Sequence, residues 1–351
     1  MAVPSSQASL GRASLAPPFA RTGRVRLAGD ALLRLHRSRL GRWTLALGSG
    51  AGVAALTLLA ARHFATTSWP LSNGQPALLV AAGLLLLLAQ ALKAYGWGRL
   101  FTPEERPKPL ALAAGNGGAA LIGLLLPGRF DDAMRVAVVR RYPPCPCGVR
   151  ALCLSLVMLG LIDSAALAPL ALAASVFGGA GNGVRAGLAA VALAGVAAAA
   201  LIVALPRVVG STRTTRFRLG RWLSTRTTSL PRASQAWALV SACWIVRAVA
   251  LFVLLGALGV GYSLPLALLF LCAGAAAAAL PIGPAGTATQ VGAHTAALLA
   301  SGIGASQALN VAVSVGTLGV LSGTAILLFA IAWKTSLSLA HARVAITPGS
   351  A

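Results

Sequence analysis

Along the chain, long apolar stretches alternate with short polar or basic ones. The apolar segments run at Trp43–Ala61, Pro76–Trp97, Leu110–Pro127, Ala151–Phe177, Ala186–Leu205, Ala236–Leu258, Leu264–Leu280, Gly283–Ser301 and Ala305–Trp333. Crossing ~30 Å of hydrocarbon takes about 20 apolar residues in a helix. Runs such as Ala275–His294 and Ile303–Trp333 meet that length without a charged residue. The pattern predicts an all-α, polytopic membrane bundle.

The polar intervals orient the segments, because short cytoplasmic loops of membrane proteins carry an excess of Lys and Arg. Residues 1–42 hold eight Arg against the single acid Asp30, and Pro206–Arg232 holds seven Arg and no acid. Both intervals are therefore expected inside. Leu110–Pro127 has basic residues on both flanks, Arg106 and Lys108 before it and Arg129, Arg135, Arg140 and Arg141 after it. One crossing cannot place both flanks inside, so a re-entrant hairpin is expected, turning at Gly115-Asn116-Gly117-Gly118. Leu264–Ser301 must begin and end outside. It reads either as a second hairpin, broken at Pro281–Gly286, or as two crossings. The sum is six crossings plus re-entrant elements, or eight crossings, with both termini cytoplasmic.

One broken element entering from each side is the mark of an inverted-topology repeat. The recurrence of Leu126-Pro127-Gly128 as Leu280-Pro281-Ile282-Gly283 agrees with it. The expected organisation is an Arg-rich cytoplasmic arm over 1–42, a transmembrane domain over 43–334 and a short cytoplasmic tail over 335–351.

Composition narrows the function. Apolar residues make up 57% of the chain and charged ones 10%, which excludes a soluble enzyme, a secreted disulfide scaffold and a disordered chain. A net charge of +23 would suggest nucleic acid in a soluble protein, but here the basic residues lie between membrane segments. No nucleic-acid partner is expected, and anionic lipids are. Cys145-Pro-Cys147 has no second Cys or His pair at ligand spacing, so neither a metal nor another cofactor is expected.

Ionisable residues within apolar segments are the natural candidates for a site. Asp163 lies about 12 residues into a segment that starts inside, roughly 18 Å deep. Arg247 lies about 11 residues into another, at roughly 17 Å. Opposite charges at similar depth are expected to face each other. Two readings stand: a permanent salt bridge, or an anion site in which Arg247 holds the substrate. Lys93, near the inner end of its segment, is expected to snorkel to the interface. The third group is Pro127–Arg135, where Asp131 and Asp132 stand at i,i+4 and i,i+3 to Arg135. It reads either as a self-satisfied interfacial helix or as a phosphate patch built on Arg129 and Arg135.

Gly123–Val136, with Leu126-Pro127-Gly128-Arg129 and Arg135, resembles the first signature of the lysylphosphatidylglycerol synthase transmembrane (flippase-like) family. Asp163 matches an acidic position in the following family helix. Leu280–Gln290 is similar to the second signature, a Pro/Gly-rich break. Asp131-Asp132 stands where the family has Gly-Glu, and Thr289-Gln290 stands where the second signature usually ends in Glu. The resemblance implies movement of lipids or lipid-linked anions between leaflets, at a substrate site drawn from Arg129, Asp132, Arg135, Asp163, Arg247, Thr289 and Gln290. It does not imply lysyl transfer, which belongs to a separate soluble domain, and no enzyme activity is expected. The alternative is a non-catalytic membrane subunit that docks a soluble partner through its Arg-rich arm and loop. Homo-oligomerisation stays open. The expected location is the cell inner (plasma) membrane.

Overall fold

The computed structural model describes Leu71 and residues 74–125, 130–142, 147–178, 181–209, 229–279 and 286–346. These residues form helices and connecting turns, with no strand among them. In chain order the helices are α1 (Pro76–Gly98), α2 (Pro109–Leu125), α3 (Phe130–Arg141), α4 (Val149–Phe177), α5 (Asn182–Val209), α6 (Leu230–Ala257), α7 (Leu264–Ala279), α8 (Gly286–Ala300) and α9 (Ala305–Ile346). Five of them, α1, α4, α5, α6 and α9, are long and apolar enough to cross a membrane. The expected first crossing, Trp43–Ala61, and the arm before it lie outside the described residues.

Local chemistry sets the helix ends. Pro76 opens α1 behind an extended Gln75, a position where its missing N–H costs nothing. α6 ends where Val260 N–H bonds Leu255 C=O at 3.0 Å and Gly259 turns to φ +73°. α8 ends the same way, with Ile303 N–H on Leu298 C=O and Gly302 at φ +82°. Glycine supplies this left-handed cap because it has no Cβ to clash.

Over the described residues, two helix pairs are shorter than the ~30 Å of hydrocarbon. At 1.5 Å per residue, α2 and α3 reach about 26 and 18 Å, and α7 and α8 about 24 and 22 Å. α2 packs on α3, and α7 on α8. The first hairpin therefore exists, but its reversal is not at Gly115–Gly118. Those residues lie inside the continuous helix α2, and the chain reverses between Leu125 and Phe130. The glycines serve close approach instead. A Cβ on Gly115 would lie 3.1 Å from Val139, and one on Gly118 3.2 Å from Val138, both on α3. A Cβ on Gly117 would collide with the Gly323 carbonyl of α9. Small residues let membrane helices pack this tightly. Of the two readings of Leu264–Ser301, the structure forms the hairpin: α7 and α8, parted at 280–285.

The helix pairings repeat. α1 packs on α2 as α6 does on α7, and α2 on α3 as α7 does on α8. α2 meets α9 as α7 meets α4, and α1 meets α9 as α6 meets α4. Exchanging α1 with α6, α2 with α7, α3 with α8 and α4 with α9 thus maps the packing onto itself. α1, α4 and α5 precede α6 and the hairpin returns to its own side, so the second unit is inverted. The spacing agrees. The interval from Pro76 to Leu230 equals that from Leu125 to Ala279, and that from Leu126 to Leu280.

α1 and α6 run antiparallel across the centre of this arrangement. Gln75 N–H bonds Ala257 C=O at 3.3 Å at one end, and Gly96 lies against Ala236 and Val240 towards the other.

Candidate functional site

The charged centre stands where α1, α4 and α6 converge. Asp163 occupies the middle of α4, and its Oδ2 accepts a hydrogen bond from Lys93 Nζ of α1 at 2.6 Å. Its Oδ1 accepts from Trp244 Nε1 of α6 at 3.1 Å. Arg247, one turn along α6, holds its guanidinium 5.2 Å from the centre of the Trp244 ring, a cation–π contact. The Lys93 and Asp163 side chains keep 12% and 21% of their surface accessible, so the pair is neither sealed in the core nor solvated.

Asp163 and Arg247 thus belong to one cluster, but the carboxylate's ion pair is with Lys93 rather than Arg247. Among the described residues, Arg247 has no ion pair. Nor does Lys93 snorkel. Helix stagger is the reason. Trp97, near the end of α1, donates to Ser155 Oγ at 2.9 Å, well inside α4. The end of α1 therefore lies level with the second turn of α4, and Lys93, one turn further up, is level with about Leu159, from where its long side chain reaches Asp163.

The repeat explains why there are two cations. The interval from Lys93 to Arg247 is the one that separates Pro76 from Leu230. They are counterparts on α1 and α6. Given the α1–α6 register, each lies about one turn, ~6 Å, from the pseudo-two-fold centre. An in-plane axis of this kind sits near the bilayer midplane. The interval was readable in the sequence, and it is the signal that would have identified Lys93.

The remaining expected residues fall elsewhere. Arg135 pairs with Asp131 at 3.2 Å and with Asp132, both along α3. The ion pairs thus stay within one helix, while Arg135 Nε is buried without a partner. Arg129 lies outside the described residues. Thr289 and Gln290 are half-buried on α8. Among the described residues, no hydrogen bond or ion pair links α3's charges to the Asp163 cluster, and no group of three His, Cys, Asp or Glu is placed to hold a metal. Cys147 is buried, and Cys145 lies outside the described residues.

Two buried polar groups escaped the sequence reading. Asn116 of α2 is 4% exposed, and neither its Oδ1 nor its Nδ2 has a partner. His294 of α8 stacks on Phe270 of α7 at 3.9 Å between ring centres and lies against Gly274, with its Nδ1 unpartnered. A polar side chain in an apolar helix signals only the element, so neither partner could be assigned in advance.

The fold and this centre define a multi-pass membrane protein with two broken-helix hairpins around a charged core. Residues 43–326 match the lysylphosphatidylglycerol synthase transmembrane region, and the chain belongs to that family. No curated protein and no solved structure shows significant similarity.

Proposed function

We propose that this protein moves an anionic phospholipid, or a lipid-linked phosphate, between the two leaflets of a cell's inner (plasma) membrane without changing it covalently. The observation that carries the reading is the Lys93–Asp163–Trp244–Arg247 cluster, which leaves two cations for one carboxylate at the middle of long apolar helices. A charged residue at the bilayer centre costs about 2.5–3.5 kcal/mol even on lenient insertion scales. A chain built only for stability would place an apolar residue at 247. An Arg kept there suits a protein whose anionic ligand visits that depth.

In this reading the headgroup phosphate accepts hydrogen bonds from the planar guanidinium of Arg247, which matches two oxygens at once. The Lys93–Asp163 pair supplies a polar floor beside it. The two hairpins belong to inversely oriented repeats, the usual setting for a substrate site in inverted-repeat transporters. The basic residues of the arm and of the Pro206–Arg232 loop, expected on the cytoplasmic side, attract anionic lipid at about 1 kcal/mol per residue near the surface.

Reconstitution tests the proposal. Proteoliposomes carrying fluorescent phosphatidylglycerol should lose the inner-leaflet label to an external quencher faster than protein-free vesicles. Equal rates in the two preparations would refute transport.

A further inference from the structure

We infer that the site accepts one negative charge at a time, so that its ligand is a lipid phosphodiester rather than a phosphomonoester or pyrophosphate, and that Asp163 sets this limit by neutralising Lys93. The inference rests on the transport reading above and specifies the headgroup chemistry that the same site recognises.

The two repeats supply one cation each, Lys93 on α1 and Arg247 on α6, on either side of the pseudo-two-fold centre. Among the described residues, only the first has a carboxylate partner. Asp163 engages both of its oxygens, one with the Lys93 ammonium at 2.6 Å and one with the Trp244 indole N–H at 3.1 Å. On α9, the counterpart of α4, the corresponding stretch is Thr317-Leu318-Gly319, and the whole of α9 carries no acid. Every carboxylate of the chain precedes residue 164. The second repeat therefore cannot neutralise Arg247 from its own sequence, and the cluster carries a net charge of one.

The chemistry of that remainder is specific. A phosphodiester has one negative charge shared by two non-bridging oxygens, which a guanidinium fork can hold in parallel. A phosphomonoester near its dianionic state would bring a second charge beside Asp163 with nothing to offset it. In a medium of low dielectric that repulsion is strong. Asp163 gives one oxygen to Lys93 and the other to Trp244, standing as the counter-anion of Lys93 where a phosphodiester would stand for Arg247. The protein thus carries its own counter-anion in one repeat and leaves the other to the substrate.

The test counts charge. Full-length protein and the variants Asp163→Asn, Lys93→Gln and the Lys93→Gln/Asp163→Asn double are titrated in detergent with phosphatidylglycerol, phosphatidic acid and inorganic phosphate. The titrations are run at about pH 8, where a phosphomonoester is mostly dianionic. Native mass spectrometry reads bound lipid, and thermal unfolding reads the stability gained. The parent protein should prefer phosphatidylglycerol. Asp163→Asn should move the preference towards phosphatidic acid by about tenfold or more. Lys93→Gln should bind both lipids weakly, and the double variant, with the parent's charge, should recover binding of phosphatidylglycerol. An unchanged preference in Asp163→Asn overturns the inference. Should that variant not fold, a double variant that binds as weakly as Lys93→Gln overturns it instead. Saturation by inorganic phosphate in place of lipid would assign the site to a free anion and overturn the lipid class. Binding that follows the charge count in a protein with no leaflet exchange would refute the transport reading and leave the charge rule standing.

Discussion

At the scale of single residues, Asp163 holds the centre together. Its two oxygens tie α1 to α4 through Lys93 and α4 to α6 through Trp244. Removing one partner of a buried ion pair leaves the other charge uncompensated, which typically costs ~3–5 kcal/mol. Asp163→Asn should accordingly lower thermal stability in detergent by about that amount, while the Lys93→Gln/Asp163→Asn double should lose much less. Trp244→Phe removes a single hydrogen bond to a charged group and should cost about 1.5–3 kcal/mol. Unfolding curves for the three variants give the comparison, and a double variant as unstable as Asp163→Asn would show that the ion pair is not what links the helices. Counting residues from the ends of apolar segments was enough to find Asp163 and Arg247. It misjudged Lys93, because depth within a segment says nothing about how far one helix is shifted along its neighbour.

Among the helices, glycines decide the spacing. Gly117 meets Gly323 where α2 crosses α9, and a Cβ on Gly323 would come within 2.7 Å of Ala120. α4 and α5 close in the same way just beyond Asp163, where a Cβ on Gly195 would lie 2.6 Å from Ala168. Overpacking such contacts costs about 1–3 kcal/mol. Gly117→Val and Gly195→Val should each destabilise the protein by that order. In the second hairpin, Gly274 leaves the space that the His294 ring fills, so Gly274→Ala should be harmful alone and relieved by His294→Ala. Thermal unfolding of the single and double variants measures that relief, and additive losses would show that the ring is not the obstacle. The sequence indicated one re-entrant element at Leu110–Pro127 and left Leu264–Ser301 open between a second hairpin and two crossings. It misplaced the first reversal because glycine permits both a tight turn and a close helix contact, and only the packing of α2 on α3 and α9 distinguishes them.

For the whole molecule, the inverted repeat is the governing feature. Its outline was legible in the basic flanks of the apolar segments and in the recurrence of Leu126-Pro127 as Leu280-Pro281. Its consequence, the equivalence of Lys93 and Arg247, follows from the interval of that recurrence, with which the helix starts and ends agree. Connectivity places Gly148 and Ser301 on opposite faces of the bundle. With the basic loops inside, Ser301→Cys in a cysteine-free background should react with an impermeant thiol reagent in intact cells, and Gly148→Cys should react only after lysis. The reverse result would invert the orientation.

In the proposed transport Arg247, without a carboxylate partner among the described residues, receives the lipid anion. Leaflet exchange of fluorescent phosphatidylglycerol in proteoliposomes, parent protein against Arg247→Gln, tests it most directly, with thermal unfolding run on the same preparations. Arg247→Gln should fold with nearly the parent's stability, since it loses a cation–π contact but strands no charge, and exchange should fall to the protein-free rate. Exchange at the parent's rate in a folded Arg247→Gln protein would contradict it.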